Sequence, residues 1–95
     1  MEYFYLYILK CWDDSYYVGH TDNIERRFAE HQQGIATSYT KDKLPVELVY
    51  VELFASRSEV LLVEHKIKRW TRKKKEALIK NDWNLLQKLS KKSFE

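Results

Sequence analysis

Tyr7, Tyr17, Arg27, His31 and Glu64 are the residues of this chain whose types and spacing could do chemistry together. Tyr7 and Tyr17 lie in two short apolar runs, Tyr5 to Cys11 and Tyr16 to Thr21, that read as β-strands. If those strands pair, the two phenols come close. Arg27 and His31 follow one helical turn apart. Glu64 sits on the margin of an apolar helical stripe, where a carboxylate is costly unless it is paired or holds a metal. Phenol, guanidinium, imidazole and one carboxylate form a set suited to breaking a phosphodiester with a single divalent ion. Each residue also has an ordinary reading alone: strand packing for the tyrosines, surface charge for Arg27, a partly exposed histidine for His31, and pairing with Lys68 for Glu64.

The elements that must position these residues are legible along the chain. Residues 3–11 form a strand apolar enough to be buried on both faces, and Trp12 to Ser15 is turn chemistry. Residues 16–20 return as the second strand of an antiparallel hairpin. Gly19 is expected to end it, at a point where backbone can approach a ligand. Asp22 with Glu25 marks a helix start, Ile24 and Phe28 anchor the helix, and Gly34 suits its C′ position. Residues 35–45 read as a polar loop holding Ser38-Tyr39-Thr40, and Pro45 opens a third strand from Val46 to Phe54.

Ser56-x-x-Glu59 is a capping box for a helix with Val60, Val63, Ile67 and Trp70 on one face. Thr71 caps a short helix through Ile79, and Asp82 starts a last one with Trp83, Leu86 and Leu89 as its apolar side. The order β-β-α-β-α-α, with a further terminal helix, predicts an α+β fold in which helices flank a three-stranded antiparallel sheet. A chain of 95 residues predicts one domain over 1–95, with a core of about 3–79 and a C-terminal helix of about 82–92.

Charge is unevenly spread. The chain carries +3 overall, but residues 1–65 carry −5 and residues 66–95 carry +8. Seven of those cations fall between Lys66 and Lys75: Lys66, Lys68, Arg69, Arg72, Lys73, Lys74 and Lys75. Such a run suits the phosphate backbone of a nucleic acid, though a solvated helix face has the same composition. Tyr39 in the polar loop could stack on a base. The one cysteine, Cys11, excludes an internal disulfide and suits a reducing cytoplasm. The histidines and the cysteine lack zinc-ligand spacing. No apolar run is long enough to span a membrane, and the N-terminus lacks a signal-peptide layout.

Several strings together resemble a known family. Tyr5-Leu6-Tyr7 and Tyr17-Val18-Gly19 stand where GIY-YIG nucleases carry their two tripeptides. Arg27 and His31 follow at matching spacing, and the capped helix bears Glu64. Ala36 to Tyr50 (ATSYTKDKLPVELVY) and Glu64 to Ile79 (EHKIKRWTRKKKEALI) are similar to the small standalone bacterial branch, itself akin to the catalytic domain of structure-specific resolvases. Tyr5 replaces the first glycine, Val18 replaces isoleucine, and His20 and Lys75-Glu76 stand where some relatives have lysine and asparagine.

The resemblance implies a DNA endonuclease of low sequence specificity, structure-selective in repair or recombination, acting on duplex, branched or single-stranded DNA. It implies Mg²⁺ or Mn²⁺ on Glu64. Tyr7 would be the base, Tyr17 would orient water or phosphate, Arg27 would hold the phosphate, and His31, matched in only some branches, would relay a proton. A non-catalytic nucleic-acid-binding module, or a catalytic subunit requiring a protein partner, would share the same sequence features.

Overall fold

The structure, a computed structural model, describes residues 2–92. Two strands, β1 (Phe4–Lys10) and β2 (Tyr16–Thr21), form the hairpin, and β3 (Glu47–Phe54) pairs with the far side of β1. The sheet is antiparallel throughout, in the order β2-β1-β3. β1 is therefore central, which explains its unbroken apolar character: Leu6, Tyr7, Ile8 and Leu9 are all buried. Strand alternation sends Leu6 and Ile8 to one face and Tyr7 and Leu9 to the other. The hairpin turn is closed by the Asp13 carboxylate, which accepts from the Ser15 amide at 3.1 Å and hydroxyl at 2.6 Å. Asp14 takes the left-handed conformation there, φ 68°.

The helix α1 (Ile24–Gln32) covers the Tyr7 and Leu9 face through Ile24 and Phe28. Its N-cap is Asn23, one residue later than expected; the Asn23 side chain accepts from the Arg26 amide at 3.0 Å. The neighbouring Asp22 is spare, because the Thr21 hydroxyl takes the Asn23 amide and turns the chain one residue on. Gly34 occupies the C′ position with φ 76°, as its freedom to adopt that region suggests.

The expected polar loop instead contains a four-residue helix, α2 (Ser38–Lys41), capped by Thr37. The third strand starts at Glu47 rather than Val46. Gln32 explains the shift: its side-chain amide brackets the Val46 backbone, donating to the carbonyl at 3.0 Å and accepting from the amide at 3.3 Å.

The other face of the sheet is covered by α3 (Arg57–Lys68), whose Val60 and Ile67 are buried against Leu6, Ile8 and Val18. Two such aliphatic side chains contribute about 1.5–3 kcal/mol each when fully buried. Ser56 caps α3 through the Glu59 amide, as read from its sequence. Thr71 likewise caps α4 (Arg72–Ile79), which adds Leu78 to that core. The last helix, α5 (Trp83–Lys92), starts at Asp82, whose carboxylate accepts from the Leu85 amide. Leu86 packs on the core, whereas Trp83 stays exposed. Among the described residues no helix is long and apolar enough to cross a membrane.

Candidate active site

Register fixes where the two tyrosines meet. Tyr7 in β1 lies directly opposite Gly19 in β2, and Leu9 lies opposite Tyr17, so both phenols occupy the α1 face. Their ring centroids are 6.3 Å apart. Gly19 does not end its strand; β2 continues through His20 and Thr21. The group that closes on its backbone is the Tyr7 phenol. A Cβ at position 19 would lie 2.7 Å from Tyr7 Oη and 3.0 Å from Tyr17 Cε2. The missing side chain is what gives Tyr7 its place.

Tyr7 continues into a buried hydrogen-bond chain. Its Oη lies 2.8 Å from His31 Nε2, and His31 Nδ1 lies 2.8 Å from Thr40 Oγ1. Thr40 Oγ1 in turn lies 3.0 Å from Thr37 Oγ1. His31 and Thr40 are both fully buried, so the expectation of a partly exposed histidine at a helix end is corrected. The reason is visible in α1, where Ile24, Phe28 and His31 share one stripe at i, i+4 and i+7. Burial, helped by the nearby Arg27 charge, holds the His31 pKa below its ordinary value, so the imidazole is neutral at pH 7. Burial, aided by Tyr17, pushes the Tyr7 phenol far above 10 despite Arg27. The pair is thus an un-ionised phenol against a neutral imidazole.

Arg27 stands on the exposed flank of α1, with Nη1 3.4 Å from Glu30 Oε1. It shares a small cavity of about 130 Å³ with His20, Thr21, Arg26 and Arg57. Glu64 lies on α3 and is buried, with 8% of its surface exposed. One carboxylate oxygen contacts His20 Nδ1, and the other lies 2.7 Å from Lys68 Nζ. The ordinary pairing with Lys68 is therefore present, together with a histidine partner that the sequence did not reveal.

His20 is opposite Leu6 in the ladder and so belongs to the α3 face. Glu64 and the Tyr7 phenol consequently occupy opposite faces of the sheet. β2 is the outermost strand of the sheet, so the two faces adjoin at its edge. The Glu64 charge still reaches Tyr7 and adds to the rise of its pKa.

The basic run divides three ways. Lys68 and Lys75 line a cavity of about 310 Å³ with Tyr16, Tyr17, Val18 and Tyr39, beside the candidate site. Lys66 and Arg69 lie elsewhere on α3, lining a larger cavity of about 580 Å³ with Leu62, Val63, His65 and Trp70. Arg72 serves the fold: it pairs with Glu76 at 3.1 Å, donates to the Asp14 carbonyl and covers the Tyr16 ring. Lys74 lies over Trp70, and Lys73 is exposed. The run is thus shared between two cavities and a set of fold contacts. Sequence reasoning also missed Thr40 and the short helix carrying it; Thr37, a cap residue, was the available signal.

Among the described residues no group of three or more His, Cys, Asp or Glu converges on a common point. The donor set still fits a hard divalent ion that keeps most of its water, since one buried carboxylate suffices. Lys68 places a cation on that carboxylate already, and its exposed stem can swing away.

The model of the GIY-YIG catalytic domain matches residues 3–77, and the chain belongs to the GIY-YIG nuclease domain family. The chain is 43% identical over 86 residues to a UPF0213 protein of Haloquadratum walsbyi, covering 90% of this chain and 97% of that protein. A UPF0213 protein of Staphylococcus haemolyticus is 47% identical over 75 residues, 79% of this chain and 92% of its own. A solution NMR structure of an E. faecalis protein is similar at a TM-score of 0.59 and 40% identity, covering 85% of this chain and 90% of that one.

Proposed function

We propose that the protein is a metal-dependent DNA endonuclease that hydrolyses phosphodiester bonds with low sequence specificity at the β2 edge. The observation that carries this reading is the buried Tyr7–His31–Thr40 chain, whose phenol lies within the electrostatic reach of Arg27 and Glu64. Tyr7 alone is a poor base, since its pKa is raised rather than lowered. Paired with His31 it becomes useful: as the attacking water passes its proton to Tyr7 Oη, Tyr7 passes its own to His31 Nε2. Phenolate never has to accumulate. In the tautomer whose Nδ1–H donates to Thr40 Oγ1, Nε2 is free to accept. Tyr17 orients the water, and Arg27 binds a non-bridging phosphoryl oxygen. Glu64 would hold the divalent ion, which when bound neutralises charge on the phosphoryl group and the leaving oxygen. Lys68, released from Glu64, is free to follow a neighbouring phosphate.

The backbone contacts available are to phosphates, which position a strand without reading its bases. This favours selection by DNA shape, as at branches, flaps or nicks, and a task in repair or recombination. The test is cleavage of single-stranded, duplex, flap and junction DNAs with Mg²⁺, Mn²⁺ or EDTA. We expect cutting that requires a metal and is lost in Glu64→Gln while DNA binding persists. Binding of all these DNAs with no cutting under any condition would leave a binding module instead.

A further inference from the structure

We propose that the cavity lined by Tyr16, Tyr17, Val18, Tyr39, Lys68 and Lys75 is a nucleotide subsite, which takes the deoxynucleotide adjoining the scissile phosphate. Its phosphate rests on Lys68 and Lys75 and its base lies against Tyr17 and Tyr39. This deepens the nuclease reading and rests on it.

Three observations converge on this cavity. The first is chemical. Lys75 is half-buried and has no carboxylate partner among the described residues, unlike Lys10, Lys43 and Lys68, which each have one. An ammonium withdrawn from water without a counter-charge is stabilised by an incoming anion. Burial also lowers the Lys75 pKa, the direction expected of a cation awaiting its partner.

The second observation is shape. The cavity measures about 310 Å³ and its walls are aromatic on the β2 side. The Tyr17 and Tyr39 rings stand 5.8 Å apart at 33°, too open to stack fully on each other. Base against aromatic ring is a contact that every base can make. Lysine on phosphate and ring on base together recognise a nucleotide while ignoring which base it carries.

The third is position. Tyr17 also lies against His31, with centroids 5.2 Å apart, and Lys68 also holds Glu64. The cavity therefore touches both halves of the candidate site. Tyr39 and Thr40 are neighbours in α2, so the element that carries the base contact also carries the hydroxyl that meets His31.

The probe is thymidine 5′-monophosphate, compared with thymidine and with inorganic phosphate, titrated into ¹⁵N-labelled full-length protein. We expect the monophosphate to shift the amide signals of Val18, Tyr39 and Lys75, with each half-ligand binding about tenfold more weakly or worse. Lys75→Gln should weaken the monophosphate about tenfold, a loss on the scale of one charge-assisted contact. Lys75→Arg should restore most of it, and Lys80→Gln, on the exposed end of α4, should change nothing. Shifts centred on Lys66 and Arg69, no shifts at all, or equal affinity in Lys75→Gln would overturn the subsite. Cleavage assays report separately. A protein that cuts DNA but leaves these signals unmoved loses the subsite and keeps the nuclease. One that binds the monophosphate here but cuts nothing loses the nuclease reading.

Discussion

The two sides of β2 are built on opposite principles. On the α1 side Tyr7, His31 and Thr40 are neutral, buried and linked by hydrogen bonds. On the α3 side the Glu64 carboxylate contacts the half-buried His20 and pairs with the exposed Lys68. Neutral groups can be locked in a core because each finds a partner there, whereas a carboxylate that must exchange partners needs access to water. The dry side suits relaying a proton through a phenol that is never left ionised. The wet side suits exchanging one cation for another. A strand at the edge of a sheet lets one small domain use both.

Breaking the dry side should have the largest effect. Tyr7→Phe removes the atom proposed to receive the water proton and leaves the ring in place. Cleavage should fall about 10²–10⁴-fold, the usual worth of general base catalysis, with DNA affinity nearly unchanged. The pH profile sharpens the assignment. His31 must be neutral to accept, and its pKa is held below the ordinary 6.5, so the acid limb of kcat/KM should lie below pH 6.5. The same shift destabilises the fold as pH drops through 6.5, because the unfolded chain gains that proton first. An acid limb centred above pH 7 would remove His31 from the proton path.

Gly19→Ala tests the join between the sides. Its Cβ would press on a buried phenol, at a cost of about 1–3 kcal/mol as for other overpacked sites. Cutting should fall further than stability alone explains, since the displaced atom is Tyr7 Oη. Thermal denaturation beside single-turnover rates separates the two effects, and a fully active, fully stable variant would show that Tyr7 is not confined as described.

The smallest change belongs to the remote basic surface. Reversing Lys66 and Arg69 should barely alter the salt dependence of DNA binding, because they face away from the site. Each phosphate contact that did exist would lower the slope by about 0.7–0.9. A change of two contacts would move the DNA path to that side of α3.

Much of this arrangement was legible beforehand. The apolar run around Tyr7 announced a central strand, and Ser56, Thr71 and Asp82 announced three helix starts, because burial and capping leave local marks. The resemblance identified the family. What could not be read was relational. Nothing local to Gly19 says that a phenol lies opposite; that follows from strand register. The helix at Ser38–Lys41 has no apolar period to reveal it. The cations from Lys66 to Lys75 form one run in sequence, yet Lys66 and Lys68 of α3 line different cavities, and the turn into α4 brings Lys75 back beside Lys68.

The central claim is that the two sides of β2 act on one phosphate. Single-turnover cleavage of the preferred DNA with saturating Mg²⁺, by the parent, Tyr7→Phe, Glu64→Gln and the double variant, tests it most directly. Groups that act as a unit lose their effect together, so the double variant should be no more than a few-fold slower than the slower single variant. Fully multiplicative losses, or a Glu64→Gln variant that cuts as fast as the parent, would contradict the account.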